Sequence, residues 1–295
     1  MRVAACCTVL ALYAVVALWA EVAHVRASRQ DGTPAYNRVD LSARNLPPLS
    51  RSGEKSESPE IRGSGNPGEF HLLGTDSLGR DVALRLAQGT RIAFHVGIVT
   101  SFLAIPLGTL LGLVAGYFRR GIDALLCSLA AMVASIPSML FILAIAMVVG
   151  KGLLGVYLGI GITTWVGVFR TVRAETLKHR SAGYVQAARA LGYGPWRILF
   201  RHIFPNVAHV VIVAFSTRFP AAVGTEVFMS FLGIGAQNEP SWGVMIAGAR
   251  TRLWTGQWWE ATAVTLAVFG LVFCFNLLGD ALRDALDPTL RRSRA

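Results

Sequence analysis

Six apolar runs divide the chain, separated by polar stretches of very unequal length. The first covers residues 3–20 and closes at Glu21. A long polar stretch follows to about Arg91, with Pro, Gly and Ser gathered between Ala43 and Gly68. Apolar runs return at 92–118, 124–150 and 152–169. A basic, glycine-broken stretch over 170–206 precedes the fifth run, 207–232. A Gly/Trp-rich loop to Glu260, a sixth run at 261–279 and a short basic tail complete the chain. A helix needs about 20 apolar residues to cross bilayer hydrocarbon. In lipid only helices and closed barrels satisfy their own backbone, and a barrel would show short alternating segments instead of continuous runs. The pattern predicts an all-α membrane protein with six transmembrane helices.

Composition agrees. Of 295 residues, 53% are hydrophobic and 15% charged, against about a quarter charged in soluble domains; mean hydropathy is +0.50. The formal charge of +11 has a membrane explanation, because Lys and Arg collect in cytoplasmic loops. With the N-terminus inside, fourteen Lys and Arg fall on the cytoplasmic side and three in the short external loops. Both termini and the 170–206 loop are therefore expected in the cytoplasm, and no nucleic-acid partner is expected. Segment 24–91 is long, carries eight acidic residues and crosses largely regardless of charge; its 30–69 portion reads as a flexible external linker. The first run exceeds the 7–15 residues of a signal-peptide core, which favours a retained anchor. The expected organisation is an anchor helix over 1–23, an external linker and pre-span segment over 24–91, a core with five spans and a loop at 171–206 over 92–281, and a tail over 282–295. Cys6, Cys7, Cys127 and Cys274 all lie in apolar runs without paired spacing, so neither a disulfide framework nor a metal site is expected.

Catalytic chemistry is missing. The string GTDSLGRD at 74–81 imitates the glycine spacing of a phosphate loop, but Arg80 and Asp81 stand where Lys and Ser/Thr are needed. The chain is not expected to hydrolyse ATP, and no catalytic triad or carboxylate pair stands out. Arg218 and Glu226 are ionisable residues inside the fifth run. Charges at membrane depth suggest a translocation path; the competing reading is pairing with neighbouring helices. Eight residues place them about 12 Å apart along a helix, with Pro220 between them. Pro106 and Pro137 mark bends that either shape a path or are absorbed by packing.

The stretch GYVQAARALGYGPWRILFRHIFPN at 183–206 reads as a helical hairpin. Tyr184, Ala187, Ala188 and Leu191 share one helical face. Gly192 suits a left-handed helix end, and Pro195 the first turn of a second helix, on which Trp196, Leu199, Phe200 and Ile203 repeat the spacing. Pro205-Asn206 is expected to end that helix. An interfacial helix on anionic lipid explains the arginines and aromatics. The small-residue face and tight break favour docking to a protein.

Gln186-Ala187-Ala188, Gly192 and Pro205 together resemble the "EAA" loop of ABC importer permeases. AGYF (115–118), IPS (136–138), Arg170 with Arg173, SFLGIG (230–235), PSWG (240–243) and LGDALRDALDPTLRR (278–292) extend the likeness, with GTDSLGRD, to the C-type subunit of the dipeptide/oligopeptide/nickel permease family. The resemblance implies a type I importer fold in the bacterial inner membrane. It implies a second homologous permease, two ATP-binding cassette ATPases that bind ATP and Mg, and an extracytoplasmic substrate-binding protein as partners. The chain itself would need no cofactor. Tyr184, Gln186, Ala187, Ala188, Leu191, Gly192 and Pro205 would belong to a coupling helix seated on an ATPase. Gln186 stands where the family often has Glu. The implied cargo is a peptide, with nickel or glutathione as alternatives. A self-contained secondary transporter or channel is the competing class; the chain lacks the internal repeat common there.

Overall fold

The computed structural model describes residues 2–29, 33–52, 68–236 and 239–286. Parts of the expected linker and tail, including the DPTLRR end of the 278–292 motif, lie outside them. Helices α1 (Arg2–Ser28), α2 (Val82–Phe118), α3 (Arg120–Ser135), α4 (Ser138–Val149) and α5 (Leu153–Arg180) come first. The hairpin follows as α6 (Gly183–Ala190) and α7 (Pro195–Ile198), then α8 (Phe204–Phe231), α9 (Trp242–Arg250) and α10 (Trp259–Leu286). Five helical stretches are long and apolar enough to cross a membrane, or six when α3 and α4 count as one span. That pair is bent by 86°, at Ile136-Pro137, because Pro137 cannot donate and its ring clashes with the preceding turn. Pro106 and Pro220 lie inside α2 and α8 without ending either helix.

The chain forms two compact units. One combines Met1–Val96, Lys151–Leu153 and Val223–Cys274. Within it the Tyr13 hydroxyl of α1 donates to the Ala267 carbonyl at 2.9 Å, and the Trp242 indole donates to the Leu86 carbonyl at 3.1 Å. A Cβ at Gly89 would collide with that indole.

Residues 33–52 and 68–81 form short folded elements, the first of these stretches inside the 30–69 segment expected to be flexible. Strands β1 (Ser50–Arg51) and β2 (Phe70–His71) pair antiparallel. The Asp40 side chain caps a 3-10 turn at Leu41–Ala43. In the GTDSLGRD segment, Gly74 and Gly79 take positive φ against the backbones of Leu46 and Asp40. The buried Asp76 carboxylate accepts from the Leu78 and Arg80 amides at 2.8 and 3.0 Å and from Arg80 Nε at 2.7 Å. This string is a turn closed upon itself by its own aspartate. Low hydrophobicity hid it because polar bonds, rather than apolar burial, fix it.

The second unit combines Gly97–Gly150, Leu154–Ala222 and Phe275–Ala295. Its spine is a seam of α2 against α5. Cβ atoms at Gly108, Gly112 and Gly116 would come within 2.6, 2.9 and 2.7 Å of Trp165–Thr176 atoms. Three glycines four residues apart bring the backbones into contact, as small residues do where helices pack in lipid.

Candidate site for coupling and translocation

The hairpin is fastened to the end of this seam. Val185 and Ala188 of α6 join Ile198, Leu199 and Ile203 in one buried cluster with Leu113 and Tyr117 of α2 and Val168 and Val172 of α5. Two apolar faces overlap on the eight-residue helix, so its sequence supports more than one phase. Tertiary packing selected Val185 and Ala188 for the interior. Ala188 is 3% exposed and is not on the free face to which the spacing assigned it. Ala187 is exposed, and so are Tyr184 and Leu191, the latter at 72%.

α6 ends as its glycine requires. Gly192 has φ +77 with open space beside it. Its amide donates to the Arg189 carbonyl at 2.9 Å, and the Tyr193 amide donates to Ala188 at 3.1 Å. This paired closure satisfies the last carbonyls of the helix. Pro195 occupies the first turn of α7. The expected stop at Pro205-Asn206 does not occur: helix continues through Pro195–Phe231. A π-turn over Leu199–Ile203 lets the Phe204 amide donate to Leu199. Such a wide turn accommodates the donor and space that Pro205 denies its preceding turn. The hairpin thereby continues without a break into a membrane helix.

Trp196 and Phe200 stack on the surface at 6.0 Å, while their predicted stripe partners Leu199 and Ile203 are buried. The Arg197 guanidinium covers the Tyr193 ring at 4.2 Å. The Gln186 amide donates to the Ser181 carbonyl at 3.0 Å, a bond that an ionised Glu, having no donor, could not make. Tyr184 and His179 share a 2.9 Å hydrogen bond; burial raises the Tyr184 phenol above its usual pKa, offset in part by a bond with Asn206.

From this level a cavity of about 670 Å³ runs between α5, α8 and α10. His179, Asn206, His209 and Arg283 line one part, and Thr217 and Arg218 another. Asn206 to Arg218 spans roughly 18 Å of helix. Gly167 makes room for the Arg218 guanidinium, which a Cβ there would strike. No carboxylate pairs with Arg218 among the described residues. Glu226 belongs to the other unit and is 1% exposed. It accepts from Ser230 Oγ at 2.5 Å and is also hydrogen-bonded by Ser241. Ser230 Oγ accepts in turn from the Ala236 amide at 2.9 Å. The carboxylate thus ties down the SFLGIG loop and does not line the cavity. Hydrophobic patterning missed the glycine seam, although its four-residue repeat is written in the second run. It also missed the cavity, whose residues come from three separate helices.

A polar cavity walled by membrane helices, beside a surface hairpin locked to their ends, defines a membrane permease. Residues 108–292 match the family model described as "Binding-protein-dependent transport system inner membrane component". The chain belongs to this family, as a multi-pass permease subunit of an ATP-driven importer in the bacterial inner membrane. It is 38% identical to the glutathione transport system permease protein GsiD of Pectobacterium atrosepticum, over 76% of this chain and 75% of that one. It is 35% identical to the dipeptide permease protein DppC of Bacillus subtilis, over 77% and 71%. It is 32% identical to the oligopeptide permease protein OppC of Bacillus subtilis, over 88% and 80%. Among solved structures it shares its fold with the inward-facing MetNI methionine ABC transporter, with TM-score 0.56 and 20% identity over 70% of this chain and 97% of that one.

Proposed function

We propose that the chain forms half of the translocation path for peptides or a related small solute such as glutathione. A second homologous permease supplies the other half, two ATPases bind ATP and Mg, and an external binding protein delivers cargo. The chain carries no catalytic activity of its own, and both termini and the hairpin face the cytoplasm. The ATPase seats on the exposed face carrying Tyr184, Ala187 and Leu191, with Gln186, Gly192 and Pro205 shaping the hairpin. Ala188 anchors that face from within. The observation that carries this reading is the buried cluster joining the hairpin to α2 and α5, which makes the docking face and the cavity walls one mechanical piece. Arg218 gives the path a positive charge suited to a solute carboxylate.

Leu191→Asp, in the reconstituted complex, tests the coupling. Leu191 is exposed, so the subunit is expected to insert and assemble normally while substrate-stimulated ATP hydrolysis falls at least tenfold. Normal stimulation would refute the assignment. Arg218→Met is expected to reduce uptake of carboxylate-bearing peptides while leaving assembly intact; unchanged uptake removes Arg218 from the path.

A further inference from the structure

A second cavity, of about 700 Å³, lies beside the α2–α3 turn and the end of α5, and no step of transport described above uses it. Its lining includes Arg119, Arg120, Arg173 and Arg180 but only one carboxylate, Asp123. That carboxylate is committed: Arg173 Nε and Nη2 donate to its two oxygens at 2.5 and 2.7 Å. Arg119, Arg120 and Arg180 have no ion-pair partner among the described residues. The Arg180 Nε is buried and donates to no hydrogen-bond acceptor among the described residues. Arg119, Arg120 and Arg189 all act electrostatically upon Arg180. Arg119 and Arg120 also stand consecutively at φ 51 and 52, a backbone region uncommon for residues other than glycine.

Arg119 and Arg120 are exposed and surround the buried Arg180 Nε, a donor whose burial costs free energy until an acceptor completes the site. The surroundings indicate which anion. The pocket lies where the spans α2 and α5 end, the level of lipid headgroups, while the exposed Ile122, Leu125, Leu129 and Met132 of α3 face away from the pocket-lining Asp123, Ala124 and Cys127. A phosphate carrying hydrocarbon chains meets the arginines at that level from within its own leaflet.

We propose that this pocket binds the headgroup phosphate of an anionic phospholipid in the leaflet on the hairpin side. Arginine forks match phosphate oxygens in pairs, and basic pockets between membrane helices suit such headgroups. The site is independent of the solute that the permease carries. Bound lipid would neutralise the arginines where α2 and α5 meet the coupling hairpin.

The test uses the assembled transporter, with phosphatidylglycerol as probe, phosphatidylcholine of the same chains as control, and inorganic phosphate as competitor. Native mass spectrometry counts retained lipid. The wild type is expected to retain one more phosphatidylglycerol per copy of this chain than the Arg120→Gln/Arg180→Gln variant. Affinity should fall about 25-fold, or fivefold per arginine. The Arg120→Lys/Arg180→Lys variant should keep most of the binding. Equal retention by the Gln variant overturns the proposal, as does equal binding of phosphatidylcholine. Complete displacement by millimolar phosphate would assign a free anion in place of a lipid. Retention only after the second permease or the ATPases are removed would assign the pocket to a protein interface, which also overturns it. If the Gln variant fails to assemble, the wild-type lipid competition and the Lys variant decide the outcome.

Discussion

Gly183 opens α6 and Gly192 lies just past its end, and alanine at either adds the same methyl group to the same hairpin. Neither Cβ would meet any atom within 4 Å, so steric collision predicts no difference between them. Backbone conformation predicts opposite signs. Gly192 sits at φ +77, where a Cβ crowds the following carbonyl at a cost of about 1–2 kcal/mol. Gly183 has no positive φ and begins a helix after Ala182. Alanine there reduces the freedom of the unfolded chain and is expected to be neutral or stabilising by about 0.4–1 kcal/mol. Hydrogen exchange of the Leu191 and Tyr193 amides, which donate to Ala187 and Ala188, reads local opening directly. Gly192→Ala should speed their exchange about 5–30-fold, the ratio that 1–2 kcal/mol implies. Gly183→Ala should leave exchange unchanged or slow it. Stimulated ATP hydrolysis should fall with Gly192→Ala and persist with Gly183→Ala. Wild-type exchange in Gly192→Ala, or equal damage from both, would refute the conformational argument.

Gly112→Val should force α2 from α5, since even a single Cβ would lie 2.9 Å from the Phe169 carbonyl oxygen. Overpacking of this kind costs about 1–3 kcal/mol, expected as a lower melting temperature of the assembled complex; an unchanged melt would sink the seam. Glu226→Leu leaves the Ser230 and Ser241 hydroxyls without their acceptor, a loss of about 1–3 kcal/mol. Glu226→Gln keeps an acceptor and should lose less. Cargo preference should be the same in both variants, and a shift in preference would return Glu226 to the path.

The amino-acid sequence by itself determined the membrane class, because a lipid solvent leaves uninterrupted apolar runs no soluble alternative. It also determined the hairpin's punctuation, since Gly192 and Pro195 act through their own backbone dihedrals. The tertiary structure decided what depended on distant partners. Val185 and Ala188 turned inward because the ends of α2 and α5 offered an apolar seat, while periodicity alone fitted either face. Pro205 stopped no helix because a neighbouring π-turn absorbed its missing donor. Arg218 and Glu226 looked alike as charges in one apolar run, yet one lines a cavity and the other binds two serines. A charge in a sequence has a cost in lipid, but only the fold supplies the group or the water that offsets it.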